Sequence, residues 1–365
     1  MVWKILWLSV LAFAFADFSH TRTVSAASRP RVLVLATGGT IAGSAPSPSD
    51  ITGYRAGVIG VDALLSAVPG IESMADVKGE QLCNIDSKDM TDEILRRLAA
   101  RVREIFAKDE ADGVVITHGT DTMEETAFFL GLTVKPAKPV VLTGAMLPAT
   151  AKNADGPRNL LDAVRVAASP EAAGKGVLVV MHGEIHAARE VTKIHTTRLD
   201  AFASPSSDPL GRVEADGVRF EREPRPSALF PFPSEAPLPR VDILYGHAGD
   251  DGALAEAALR TGAKGIVYAG MGNGSIPEQA EAALARAAAS GTVIVRASRS
   301  NAGAVVPAAS SYMAEGFIDG GALQPQKARI LLRLALARTA NAKKYNKSST
   351  PMHRFPDNIV FHAKK

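Results

Sequence analysis

The fold is decided by "GVVITHGTDTMEETAFFL", residues 113–130. Apolar β-formers run into His118-Gly119, the chain presents Thr120 and Asp121, and a helical pattern follows at once. An apolar run without alternation reads as a strand buried on both faces, which belongs in a parallel sheet covered by helices. Ligands bind outside the carboxyl ends of such strands, so polar residues delivered there need a reason.

Working outward, the same form recurs in "RVLVLATGGT" from Arg31, "KPVVLTGAM" from Lys138 and "KGVLVVMHGE" from Lys175. The four carboxyl ends carry Thr37-Gly38-Gly39-Thr40, Thr117 to Asp121, Thr143-Gly144-Ala145-Met146 and Met181-His182-Gly183-Glu184. Glycine lets the backbone approach a ligand, and a helix N-terminus favours anionic groups. Between the runs lie amphipathic segments such as "DEILRRLAARVREIF", with Ile94, Leu98, Val102 and Ile105 at helical spacing. Strand–helix alternation of this kind predicts a parallel sheet with right-handed crossovers.

Proline density rises in "SPSSDPLG" and "EPRPSALFPFPSEAPLPR". Proline supplies no ladder donor, so this segment reads as a connection. The alternation then resumes in "RVDILYGHAG", "AKGIVYAGMGNGS" and "GTVIVRAS". The expected fold class is α/β, with two open-sheet domains, larger N-terminal and smaller C-terminal, joined by a Pro-rich linker. The expected boundaries are a signal peptide over 1–27, a catalytic domain over 30–203, the linker over 204–239, the second domain over 240–340 and a basic tail over 341–365.

Lys4 precedes an apolar run from Ile5 to about Ala16, and small-residue cleavage patterns follow at Ala14-Phe15-Ala16 and Val24-Ser25-Ala26. The run is shorter than the ~20 residues of a membrane span. It predicts export to the periplasm or beyond, with an uncleaved amphiphilic anchor as the alternative and no membrane association after cleavage. Cys83 is the only cysteine, so no internal disulfide forms. With 46% hydrophobic and 22% charged residues the chain has the profile of a globular protein. A net charge of +3 without basic–aromatic runs argues against a nucleic-acid partner.

"GGTIAGSA" fails as a nucleotide site: a dinucleotide fingerprint wants glycine where Thr40 stands, and a P-loop wants lysine where Ser44 stands. "HGEIH", His182 to His186, fails as a metal motif because glutamate does not follow the first histidine directly. Thr40, Thr120 and Asp121 remain. A threonine hydroxyl becomes a nucleophile only beside a base or charge network. Each could equally cap a helix, and "TDTMEE" resembles a capping box. Capping accounts for each site alone, but not for two strand ends that both deliver threonine through glycine. His118 is expected to pack or hydrogen-bond at its strand end.

"LATGGTIAG" and "VVITHGTDTMEETAFFL" resemble the two signature segments of the bacterial type II (exported) L-asparaginase and asparaginase–glutaminase family. "VKGEQLCNIDSKDM", "ADGPRNLLDAV", "EVTKIHTT", "GMGNGS" and "LQPQKARILLRLAL" extend the likeness over about residues 31–340. The resemblance implies an amidohydrolase converting L-asparagine to L-aspartate and ammonia, with L-glutamine as a second substrate and neither cofactor nor metal. It implies Thr40 as nucleophile on a mobile loop with Tyr54 as its partner, and Thr120, Asp121 and Lys193 as a second triad. Ser87 would hold the substrate α-carboxylate and Asp121 its α-ammonium, while Gly39, Lys88 and Gly119 would line the substrate. Asn273 would reach a neighbouring subunit's site in a homotetramer of intimate dimers.

Two departures bear on affinity. Lys88 stands where the family usually has Gln or Glu; at contact distance it would repel the substrate ammonium by about 1–4 kcal/mol, and the alternatives are that it points outward or pairs with a longer substrate's second carboxylate. The inter-subunit glutamate expected near 306–311 is absent from "VVPAASS", and Glu315 is out of register. Both predict weakened asparagine binding. The alternatives are a related amidohydrolase acting on another small amide, and a non-enzymatic periplasmic amino-acid binder, which would have no use for the Thr120, Asp121 and Lys193 set.

Overall fold

The computed structural model describes residues 28–345 except 135, 228, 231–236 and 308–309. The expected signal over 1–27 and residues 346–365 of the expected tail lie outside the described residues. The first unit contains β1 (Arg31–Gly38), β2 (Asp76–Ile85), β3 (Gly113–Thr117), β4 (Val140–Thr143) and β5 (Val177–Met181). It continues through β6 (Glu184–Ala187), β7 (Thr192–Lys193), β8 (Phe202–Ala203), β9 (Gly211–Glu214) and β10 (Gly217–Phe220). Eight of these form one sheet in the order β10-β9-β6-β5-β4-β3-β1-β2, and β7 pairs β8 separately.

From β2 to β5 the sheet is parallel, as the apolar runs require. β3, β4 and β5 are buried at every residue because helices cover both faces. Beyond β5 the sheet turns antiparallel, which the reading of a purely parallel sheet does not anticipate. The cause is local. His182 and Gly183 both have positive φ, 50° and 78°, and a two-residue turn of that kind folds the chain back as a hairpin. Met181-His182-Gly183-Glu184 is therefore a hairpin turn in which Met181 faces Glu184.

Residues 204–239, expected to be only a connection, are also corrected. β9 and β10 pair through Gly217↔Glu214 to Phe220↔Gly211 and extend the large sheet. Prolines on either side hide the short alternating pattern of "GRVEADGVRF".

The second unit is a four-stranded parallel sheet of β11 (Val241–Tyr245), β12 (Gly265–Gly270), β13 (Val293–Ser298) and β14 (Ile318–Asp319), in that order. Its last helix, Pro325–Tyr345, continues past residue 340 into the segment expected to be tail.

Two helices join the units. Beyond its first turn, helix Met123–Thr133 is mostly apolar because it lies between the large sheet and helix Pro325–Tyr345, and one core cluster runs from Phe128 and Phe129 through to Leu331 and Leu332. Burying each such side chain contributes roughly 1.5–3 kcal/mol. Arg333 adds a two-pronged tie, Nη1 to Asp92 Oδ1 at 2.9 Å and Nη2 to Oδ2 at 2.6 Å, with Asp92 at the start of helix Asp92–Ala107.

Candidate active site

β1 and β3 are adjacent and parallel, so their carboxyl ends emerge side by side. Gly39 has φ 81°, and a Cβ built on it would lie 2.3 Å from the Gly119 backbone nitrogen. A Cβ on Gly119 would lie 2.6 Å from Ser87 Oγ. Only glycine permits either approach. The two turns therefore touch through their glycines, and the residues that follow, Thr40 and Thr120, sit on adjoining loops with Ser87 against them.

Each threonine hydroxyl has a distinct partner. Thr40, 7% exposed, lies with its Oγ1 2.7 Å from the Tyr54 hydroxyl. Thr120, 5% exposed, accepts a hydrogen bond from Lys193 Nζ at 2.9 Å, and the same ammonium donates to Asp121 Oδ1 at 2.6 Å. Lys193 comes from β7, far along the chain, and its side chain is largely covered while that of Asp121 is 60% exposed. An amine held between a hydroxyl and a carboxylate can polarise that hydroxyl.

The capping reading is overturned here. The N-cap of helix Met123–Thr133 is Thr122, and no side chain caps it. Thr122 Oγ1 instead donates to the Ser87 carbonyl at 2.7 Å, and Thr120 and Asp121 direct their side chains to Lys193. Gly39 precedes the short turn Thr40–Ala42, which likewise has no side-chain cap.

Lys88 is engaged by neighbouring carboxylates. Its ammonium, 64% exposed, lies 2.5 Å from Asp86 Oδ2 and 3.6 Å from Asp89 Oδ2, and the bond to Asp86 raises its pKa. Asn273 belongs to the second unit, where its amide donates to the Val306 carbonyl at 3.2 Å and its Oδ1 accepts from the Val306 N–H at 2.9 Å. The chain itself does not bring Asn273 into contact with the two threonines through these bonds.

His118 is fully buried. Nδ1–H donates to the Gly119 carbonyl at 2.7 Å and Nε2 accepts from the Thr126 hydroxyl at 2.9 Å, which fixes the tautomer. Burial pushes its pKa down to about 4, so it is neutral at physiological pH and holds the Gly119 turn. His186 of "HGEIH" is also buried, with its pKa pushed down to about 4 by desolvation. Among the described residues no group of three or more His, Cys, Asp or Glu side chains is arranged to hold a metal ion. Burial raises the Cys83 thiol pKa, which disfavours the thiolate.

The family model "Asparaginase, N-terminal" matches residues 31–226, and "Glutaminase/Asparaginase C-terminal domain" matches residues 240–347. The chain belongs to the asparaginase family. It is similar to L-asparaginase 2 of Bacillus subtilis, with 44% identity over 359 residues covering 92% of this chain and 95% of that protein. The "Probable L-asparaginase periplasmic" of Haemophilus influenzae is 46% identical over 87% of this chain and 92% of its own length. The Glutaminase-asparaginase of Pseudomonas fluorescens is 40% identical over 86% of this chain and 88% of its own length. Among solved structures, the "Probable Cytoplasmic L-asparaginase" of Campylobacter jejuni superposes with a TM-score of 0.80 at 46% identity, covering 87% of this chain and 98% of that one.

Sequence reasoning about this asparaginase-family site missed Glu124, which is 6% exposed and accepts a hydrogen bond from the Lys193 backbone N–H at 2.6 Å. Its signal in the sequence is one of two adjacent acids, Glu124 and Glu125, in the first turn of a largely apolar helix, a pair that reads equally well as part of a cap.

Proposed function

We propose that the protein hydrolyses L-asparagine to L-aspartate and ammonia, with Thr40 as nucleophile. The observation that carries this reading is the pairing of two threonines on touching glycine turns, one beside Tyr54 and the other held by Lys193 and Asp121. Thr40 Oγ adds to the side-chain amide carbon and the C–N bond breaks, releasing ammonia, which carries the threonine proton away. Water then cleaves the acyl-Thr40 ester, giving aspartate and restoring the hydroxyl. Thr120 assists, polarised by the Lys193 ammonium. Ser87 offers a hydroxyl to the substrate α-carboxylate, Asp121 holds the α-ammonium, and Gly39 and Gly119 offer backbone beside the reacting carbonyl.

The names of the curated relatives, L-asparaginase and Glutaminase-asparaginase, support this substrate class and favour glutamine as a second substrate. Export follows from the reading of residues 1–27, and one relative is named periplasmic. A shared-site homotetramer, with Asn273 reaching a neighbour, belongs to the same proposal.

Ammonia release from asparagine, glutamine and a panel of small amides tests the reading, with Thr40→Ala as control. Asparagine turnover that falls by ~10³-fold or more in Thr40→Ala supports it. Turnover of another amide alone would support the second amidohydrolase reading. Rapid-quench trapping of a covalent adduct on Thr120 would reverse the roles of the two threonines.

A further inference from the structure

Among the described residues Lys327 is a fully buried lysine of the second unit, at 0% exposure, and the chemistry above leaves it unused. Its ammonium donates to three backbone carbonyls, Ala188 at 3.0 Å, Arg189 at 3.1 Å and Val191. Three protons meet three acceptors, so the group is saturated. Burial pushes its pKa down to about 8, which leaves it protonated at neutral pH. All three carbonyls belong to the short segment that leads into Lys193.

The next residue in sequence, Gln326, donates from Nε2 to Glu124 Oε1 at 2.5 Å. Glu124 Oε2 accepts the Lys193 backbone N–H at 2.6 Å. Glu124 lies in the first turn of helix Met123–Thr133, three residues after Asp121. One turn of chain thus grips Lys193 at both ends, the N–H through Glu124 and the ammonium through Thr120 and Asp121. β7, the strand that carries Lys193, has two residues only, and its ladder to β8 is too short to fix a side chain on its own.

We propose that Lys327, Gln326 and Glu124 form a positioning bracket through which the C-terminal unit sets the backbone of Lys193, and hence the placement of its ammonium on Thr120. None of the three touches substrate; each acts through Lys193. The inference rests on the role given to Lys193 in the proposed function.

Steady-state asparagine hydrolysis by Glu124→Leu, Glu124→Gln, Gln326→Leu, Lys327→Met and Lys193→Met, with thermal melting of each, tests the bracket. The expected result is a kcat at least tenfold lower in Glu124→Leu and Lys327→Met with KM within threefold of wild type. Glu124→Gln recovers most of the loss, because its amide oxygen still accepts the Lys193 N–H while Gln326 turns its own amide over. Gln326→Leu, which strips a single bond and carries little folding risk, lowers kcat three- to tenfold at unchanged KM even if Lys327→Met does not fold. A general loss of packing would lower the melting temperature without splitting kcat from KM and without rescue by glutamine, and that pattern overturns the proposal. Wild-type kcat in both Gln326→Leu and Glu124→Leu also overturns it. Lys193→Met separates the two failures: if it is inactive while those variants are normal, only the bracket is wrong. If it is fully active, the role of Lys193 itself is wrong and the bracket falls with it.

Discussion

Lys193→Met removes the ammonium while keeping the length and apolar body of the side chain. Two bonds disappear, the 2.9 Å contact to Thr120 Oγ1 and the 2.6 Å contact to Asp121 Oδ1. The structural consequence is small. Asp121 is 60% exposed, so water takes over its freed charge, and the half-covered ion pair together with the hydrogen bond to buried Thr120 is worth about 2 kcal/mol. At roughly 2 °C or less per kcal/mol for a chain longer than about 250 residues, the melting temperature should fall by no more than about 4 °C. The chemical consequence is much larger. Positioned proton-transfer groups contribute about 10²–10⁴ in rate, or roughly 3–5 kcal/mol at about 1.4 kcal/mol per decade. Coupled measurement of ammonia release and thermal melting should therefore show kcat down by two or more decades in a protein that melts almost normally. A folded Lys193→Met with kcat within fivefold of wild type would refute the reasoning.

Gly39→Ala should be inactive or poorly folded, since its Cβ would lie 2.3 Å from the Gly119 backbone nitrogen at a φ of 81°; expression yield and kcat report this. Lys88→Gln should lower the KM for asparagine by less than threefold, because Asp86 and Asp89 already occupy its ammonium; a fall of more than tenfold would show that the cation faces substrate. His118 binds its proton less readily in the folded state, at about 4 against 6.5, so stability is complete above pH 6.5 and declines as pH falls towards 4. The loss is on the order of 3 kcal/mol, and denaturant titrations between pH 7 and 4.5 should show a flatter slope in His118→Gln than in wild type.

The places of Thr40 and Thr120 at strand ends were legible because they follow unbroken apolar runs through glycine, a pattern whose reason is local. The helix Asp92–Ala107 was legible from its spacing, with Leu98, Val102 and Ile105 buried as expected. β2 was harder, since its residues are mostly half-exposed and mix lysine, glutamate and asparagine. β9 and β10 were obscured by surrounding prolines, and "MHGE" by the ambiguity between a ligand-facing strand end and a hairpin turn. Lys88 could not be assigned a direction from sequence, because its orientation depends on Asp86 and Asp89 folding beside it.

The amino-acid sequence by itself determined that two α/β units would form and that Thr40 and Thr120 would stand at strand ends, because strand burial and glycine turns are set within a few residues. Only the tertiary structure decided which groups meet those hydroxyls. Lys193 reaches Thr120 across 73 residues and Gln326 reaches Glu124 across 202, and no local pattern encodes bonds over such separations. The Gln326 bond exists because helix Pro325–Tyr345 packs against helix Met123–Thr133, and the Lys193 bond because β7 carries that lysine back to the turn after β3.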